Sequence, residues 1–503
     1  MSSAAPTTVP SSSASGSLED FFEPFRNKIL GQHQTFESPY GRKKVLYADW
    51  TASGRLYEPI ERKLHDLFGP FVGNTHSESS VTGSSMTHAY HLAHQIIKKH
   101  VNAGSGDALL FAGFGMTAAV NKFQRILGLK CPEQWKDHLS IPDELRPVVF
   151  VTHLEHHSNH TTWYETICDV QVIKATDEGL VDLDDLRSLL EQHKTRKLKI
   201  GAFSACSNVT GIHTPYHTLA RIMHEHGGIC LIDLAASAPY MKIDMHPPDP
   251  MERLDAIVFS PHKFLGGPGA PGVLIFDSSL YRLKSPDQPG GGTVLWTNPW
   301  GEYRYIPDVE VREDGGTPGF LPAIKAALAV TLKEEMGMER MHQREEELVR
   351  SLFKGLRSVP GLTLLADNIE NRLGMMSFYL DDIHYNLVVR LLNDRFGIQS
   401  RGGCSCAGTY GHYLLHVTRY QSKRITDKID EGDLSSKPGW VRLSIHPTTT
   451  NEEVEFIVEA LREIQRNAKS WEKDYTYDSH ANEFRHKDDH GRLQQTVEGW
   501  FRL

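Results

Sequence analysis

"DAIVFSPHKFLGGPGAPGVLIF", residues 255–276, decides how the rest of the chain is organised. Two short apolar runs, 255–260 and 272–276, flank a glycine-rich turn, and Lys263 follows almost directly on the first run. Runs of that length, rich in β-branched residues, are the pattern of strands buried on both faces. Most loop lysines point into solvent. This one stands at a strand's carboxyl end among Ser260, His262 and glycines. Burial lowers a lysine's pKa and makes its amine a nucleophile able to form a Schiff base.

Working outward, further apolar runs appear as "ALLFAG" (108–113), "PVVFVTH" (147–153), "LKIGAFS" (198–204) and "GICLID" (228–233). Helical patterns separate them. "DLDDLRSLLEQH" (182–193) opens on acidic residues, and "PYHTLARIMHEHGG" (215–228) begins on Pro and ends on Gly. The alternation, from about 47 to 280, predicts an α/β fold with a mostly parallel open sheet. Past 320 the texture changes to a charged helical stretch, 324–359, then short strands "LTLLA" (362–366) and "MMSFYL" (375–380). A helix candidate at 385–395, the run "WVRLSI" (440–445) and an amphipathic helix near 451–466 complete a smaller α/β domain. The expected division is a large domain at 47–320 and a small domain at 321–470 with an insertion at 408–440. A segment at 19–46 is expected to pack on the small domain, with a disordered tail at 1–18 and an extension of unassigned role at 471–503.

The bulk numbers exclude several function classes. A chain of 503 residues with a net charge of -9 shows no Lys/Arg stripe interleaved with aromatics, so nucleic acid is not an expected partner. No run of about 18 apolar residues suggests a membrane span. The Ser/Ala/Thr/Pro-rich N-terminus has neither the apolar core of a secretory signal nor the arginines of a mitochondrial presequence. Six cysteines are too few for a disulfide scaffold in a chain this size, and a cytoplasmic, reducing location is expected.

In an open parallel sheet, ligands collect at the strands' carboxyl ends. After the first run, "FGMTAAVN" (114–121) is a small-residue turn opening a helix, suited to a phosphate. "LEHHSNH" (154–160) holds His156 and His157, without a Cys or acidic partner at zinc spacing. Asn208 follows the next run, and Asp233 ends "GICLID", where burial demands a cationic partner. A phosphate turn, a carboxylate for a pyridinium nitrogen, a ring-stacking histidine and a Schiff-base lysine together describe pyridoxal 5'-phosphate. No dinucleotide or P-loop glycine motif follows a strand.

From "YADWTASGRL" (47–56) to "VRLSIHPTTTNEEV" (441–454), these motifs resemble class V aminotransferase-fold enzymes, most closely the cysteine desulfurase and selenocysteine lyase branch. The resemblance implies the fold type I of pyridoxal-phosphate-dependent transferases: a large domain with a mostly parallel seven-stranded sheet plus a smaller α/β domain. "EHHSN" (155–159) implies that His156 stacks on the ring and acts as acid/base. "DLAASAP" (233–239) carries the ring-nitrogen aspartate, and "SPHK" (260–263) makes Lys263 the Schiff-base lysine with Ser260 and His262 on the phosphate. Met116 and Thr117 are placed at the phosphate, and Asn208 at the ring oxygen or substrate. "EDGGTPG" (313–319) implies that Thr317 reaches the neighbouring subunit's phosphate, hence a homodimer. Arg442 is the implied clamp for a substrate carboxylate, with Arg401, Asn208 and His76 beside the substrate. The implied reaction takes sulfur from L-cysteine: Lys263 and His156 move protons, and Cys406 receives the sulfur as a persulfide, leaving alanine. A sulfur-acceptor protein would then be a partner.

Two departures stand out. Ala236 occupies a position where the family often has glutamine, and the family's R-x-G-H-H-C-A loop has become "RGGCSCA" (401–407). Cys404 and Cys406 are read asymmetrically, because a disulfide two residues apart is strained and two thiols make half a zinc site. Cys406 takes the reactive position; Cys404 is a second sulfur carrier or a small replacement. Other readings keep the cofactor and change the reaction, to a selenocysteine or C–S lyase, transaminase, epimerase or decarboxylase. A non-catalytic scaffold is disfavoured by the joint presence of Lys263, Asp233 and His156. The long connection 408–440 is expected to form a lid or to meet a partner.

Overall fold

A computed structural model of the chain describes residues 16–75, 78–489 and 491–502. Seven strands form the central sheet, in the order Asp107–Ala112, Gly272–Asp277, Ala256–Phe259, Ile229–Asp233, Lys199–Ser204, Val148–Thr152 and Asp169–Ile173. Only Gly272–Asp277 runs antiparallel to its neighbours, so the turn after Lys263 folds back on its own strand. Helices cover both faces, which is why successive strand residues enter two different cores. Phe150, Ile257 and Phe259 join one; Val149, Val151 and Val258 join the other.

The seventh strand, Asp169–Ile173, escapes a search for apolar runs. It lies at the sheet edge, mostly half-buried, with Asp169 before and Gln171 between its valines. The helical stretch at 324–359 is two helices, Phe320–Met336 and Met338–Arg357, broken at Gly337 with φ +77°. The first of them starts at the boundary expected at 321 and packs on the large layer. Its Ala326, Ala327 and Val330 pack with Ala93 and Ile97 of the helix Val81–His100, and with Val101 just after it, in the large layer. The chain leaves that layer at Gly337.

The small layer is an antiparallel sheet in the order Leu362–Leu364, Met375–Leu380, Trp440–Ser444, Arg401–Gly403. Helices Met338–Arg357 and Asn451–Trp471 cover it, burying Leu348, Leu352, Phe378, Val441, Ile457 and Leu461 together. The candidate helix at 385–395 is Tyr385–Leu391, continued by a wider turn, Leu392–Phe396.

The expected tail at 1–18 lies outside the described residues as far as 15. Its end is corrected, because the helix Leu18–Arg26 already begins there. Ser17 Oγ accepts the Asp20 N–H and Asp20 returns the bond to Ser17 N–H. That segment docks through Glu19, 3.1 Å from Arg344, and through Arg26 Nε, which donates to the Thr448 carbonyl. The 408–440 connection folds as two helices, Gly408–Leu414 and Arg419–Asp430, the second with no buried residue. It is tied to the C-terminal hairpin Tyr475–Asp478 and Glu483–His486 by the Leu434 N–H donating to the Ser479 carbonyl. Among the described residues no helix is long and apolar enough to cross a membrane.

Candidate active site

The carboxyl ends of five central strands open into a cavity of about 180 Å³, closed on the far side by residues of the small layer and by Thr51 and Ala52. Its floor is a cradle that only glycine permits. Gly115, at φ +68°, opens the helix Gly115–Ile126, and a Cβ there would lie 2.7 Å from His262 Cε1 and 2.9 Å from Ser260 Oγ. Ser260 Oγ accepts the Met116 N–H at 2.8 Å, and the Thr117 hydroxyl pairs with Ser158 Oγ at 2.6 Å. A helix N-terminus ringed by hydroxyls and an imidazole suits an anion.

Above the cradle stand the titratable groups. Burial lowers the Lys263 amine to about 8, although Asp233 pulls it back up and the Arg442 charge lowers it further. Asp233, with Oδ1 accepting the Ala235 N–H at 2.8 Å, is pushed up to about 7 by burial. His156 falls to about 3 through burial and the nearby Lys263 charge, so its ring is neutral. Its Nδ1 accepts the Ser158 N–H, which leaves the proton on Nε2. His262 is lowered to about 4 for the same two reasons.

Glu155 fixes this arrangement from behind. It is fully buried and accepts from Thr152 N–H and Oγ, Ser204 N–H and Oγ, and Asn159 Nδ2, which binds two strand ends to the segment carrying His156. Burial raises its carboxyl, and those hydrogen bonds oppose the rise.

The small layer supplies the opposite wall. Arg442 is 3% exposed; its Nη1 donates to the Asn208 carbonyl at 3.0 Å and its Nη2 to Asp49 Oδ1 at 2.8 Å. Arg401 lies directly across the ladder from it and is exposed. Two like charges thus face each other across one ladder, and Asp49 is the anion set against Arg442. Asn208 also donates its Nδ2 to the Ser405 carbonyl at 2.7 Å. Cys406 is exposed and lines the cavity beside Ser405, whereas Cys404 is half-buried against the main core.

The family model for aminotransferase class-V matches residues 46–457. The chain belongs to that family. A probable cysteine desulfurase from Staphylococcus epidermidis is 28% identical over 441 residues, spanning 87% of this chain and 96% of its own. One from Halalkalibacterium halodurans is 28% identical over 371 residues, spanning 72% and 84%. Among solved structures, the apo form of a cysteine desulfurase from Thermococcus onnurineus superposes with a TM-score of 0.70 at 23% identity, over 88% of this chain and 98% of that one. A cysteine desulfurase from Escherichia coli superposes at 0.68 and 20% identity, over 88% and 98%. Both share the fold.

In this class-V enzyme the cavity brings together Met116, Thr117, His156, Asn208, Asp233, Ser260, His262, Lys263, Arg401, Cys406 and Arg442. Thr317 is exposed on the loop before Phe320 and does not line its own chain's cavity. His76 lies outside the described residues. Reading by strand ends missed Asp49, Thr51 and Cys206, which also line or brace the site. Asp49 had a signal: a carboxylate in the otherwise apolar and small "YADWTASG". Cys206, buried with its thiol pushed up by burial and by Asp233, had none beyond its neighbourhood to Asn208.

Proposed function

We propose that this cavity holds pyridoxal 5'-phosphate and that the enzyme removes sulfur from L-cysteine, giving alanine and a persulfide on Cys406. The donor set fits the group. Thr51 Oγ1, Asn208 Oδ1 and Arg442 Nε are buried at the cavity without a partner among the described residues, and the Gly115 cradle leaves room a side chain would fill. Met116, Thr117, Ser260 and His262 would hold the phosphate, Asp233 the ring nitrogen, His156 the ring face and Lys263 the aldehyde carbon. When bound, the cofactor supplies an aldehyde that captures amines and a ring that delocalises an electron pair from the substrate's α-carbon.

The chain's own residues carry the remaining work. Arg442, held by Asp49, forks the substrate carboxylate, and Lys263 moves a proton at the α-carbon from an amine poised near pH 8. The Cys406 thiolate attacks the substrate sulfur; an S–S bond forms and the C–S bond breaks. The electron pair stays with carbon, which takes a proton and becomes the methyl of alanine. An external thiol or acceptor protein then removes the sulfur.

The observation carrying this reading is that Cys406, and not Cys404, shares the cavity with Lys263 and Arg442. Incubation with L-cysteine tests it: alanine forms, Cys406→Ser loses on the order of 100-fold or more in rate, and Cys404→Ser stays within about threefold. No alanine, or unimpaired Cys406→Ser, removes it. Ala236 on the cavity wall favours a second reading, a related C–S or selenocysteine lyase, because it offers no donor to the ring oxygen. A panel of amino acids watched for new absorbance bands separates the two. A homodimer is proposed with it, Thr317 completing the phosphate site of the second subunit.

A further inference from the structure

Ser405 and Cys406 both adopt left-handed backbone conformations, with φ +50° and +55°. Residues with side chains hold that geometry only where their surroundings over-determine it. The surroundings here are side chains that the proposed chemistry leaves unused. His157 donates its backbone N–H to the Cys406 carbonyl at 2.7 Å, while its ring Nε2 accepts the Gly408 N–H at 2.9 Å. Three residues on, His160 Nδ1 meets the Thr409 hydroxyl at 3.2 Å. A Cβ on residue 408 would lie 3.1 Å from His157 Nε2, tighter than an ordinary contact, so glycine eases the ring's approach to the backbone.

We propose that His157, backed by His160, is a positioning residue that latches the 404–408 loop and thereby holds the Cys406 thiol in the cavity. The inference rests on reading Cys406 as the sulfur-accepting thiol. The latch carries a chemical requirement. To accept from Gly408, Nε2 must be unprotonated, which puts the ring proton on Nδ1; an imidazolium has two donors and no acceptor, and would set N–H against N–H.

The titratable groups facing His157 are His156 and His160 on its own segment and Lys437 from the 408–440 connection. On the helix that starts at Gly408, His412 Nδ1 meets the Gly408 carbonyl at 2.7 Å. Burial and then the Lys437 charge hold His157 below the ordinary imidazole range. A depressed folded value means the latch is complete at neutral pH and is lost as pH falls through that value.

Hydrogen exchange at the Gly408 amide in the full chain reads the latch without turnover. Protection, corrected for intrinsic rates, is expected to fall roughly tenfold as pD is lowered from 7.5 through the depressed His157 value in the wild type, about what one lost hydrogen bond is worth. His157→Gln accepts without titrating, so its protection stays level across that range; His157→Phe is low throughout. In turnover, His157→Phe loses roughly tenfold in kcat at unchanged KM for cysteine, since Arg442 is untouched, and His157→Gln recovers most of it while losing the acid limb of the pH profile. Wild-type protection and kcat in His157→Phe would overturn the proposal. If that variant does not fold, equal pD dependence in the wild type and His157→Gln overturns it instead. A wild type that makes no alanine from cysteine removes the desulfurase reading, while the exchange data still decide the latch.

Discussion

Lys263 shows how much of the chemistry is set by one side chain's surroundings. An exposed lysine is nearly all ammonium at neutral pH; burial brings this one to about 8 from the ordinary 10.5, while Asp233 works in the opposite direction. The sign has a measurable consequence. The neutral amine fraction rises through about pH 8, so the rate at which cofactor-free protein takes up pyridoxal phosphate should reach half its maximum there. Asp233→Asn removes the charge that favours the ammonium and should move that midpoint lower; a midpoint that stays put or moves up contradicts the arrangement. Arg442 makes the complementary point. Its buried guanidinium is held below its usual value by burial, and the Asp49 carboxylate offsets that loss while pinning the fork toward the cavity. Lys263 and its partner Asp233 both stood out in the sequence at strand ends, whereas Arg442 entered through the family resemblance and its partner Asp49, almost 400 positions away, did not stand out.

At the scale of elements, the parallel strands were legible because each is buried on both faces and reads as an unbroken apolar run. Asp169–Ile173 was not, because an edge strand needs one apolar face only. The break at Gly337 was hidden for a different reason. Both flanking helices share charged, helix-forming residues, and a single glycine inside such a stretch is weak evidence unless its conformation is known. Its φ of +77° makes it the turn between the large and small layers. Gly337→Ala meets no neighbouring atom but forces a left-handed alanine, which costs about 1–2 kcal/mol. Thermal melting should show a Tm lower by about 1–2 °C, with the cofactor affinity intact because residue 337 does not line the cavity. Loss of cofactor affinity would mean that the hinge, and not just stability, shapes the site.

For the whole molecule, the exposed aromatic side chains are informative. Phe114 is 95% exposed at the cavity's mouth, and Trp296, Trp300 and Tyr303, on the hairpin of Val294–Thr297 and Tyr303–Tyr305, are mostly in solvent. Exposed aromatic side chains are the kind of surface an interface core is made of. The proposed homodimer therefore predicts a single dimeric species in sedimentation. Replacing Trp296 and Trp300 together with Glu should shift it toward monomer and weaken cofactor retention, as Thr317 is withdrawn from the second site. A wild-type monomer with full activity rules the shared site out.

The chain's own text determined the class of fold, the order of strands and turns, and which residue types stand at the strands' carboxyl ends. Those features are local: burial on two faces, helix starts and glycine turns are written within a few residues of each other. The resemblance pointed to Cys406, but only tertiary structure decided how its thiol, and not that of Cys404, comes to line the cavity. That placement depends on restraints from distant segments. Asn208, His157 and Trp440 hold the carbonyls, an amide and a hydroxyl of 405–408, and fix two left-handed residues in sequence. Backbone strain of that kind is stable only inside a finished fold, so no pattern along the chain announces it.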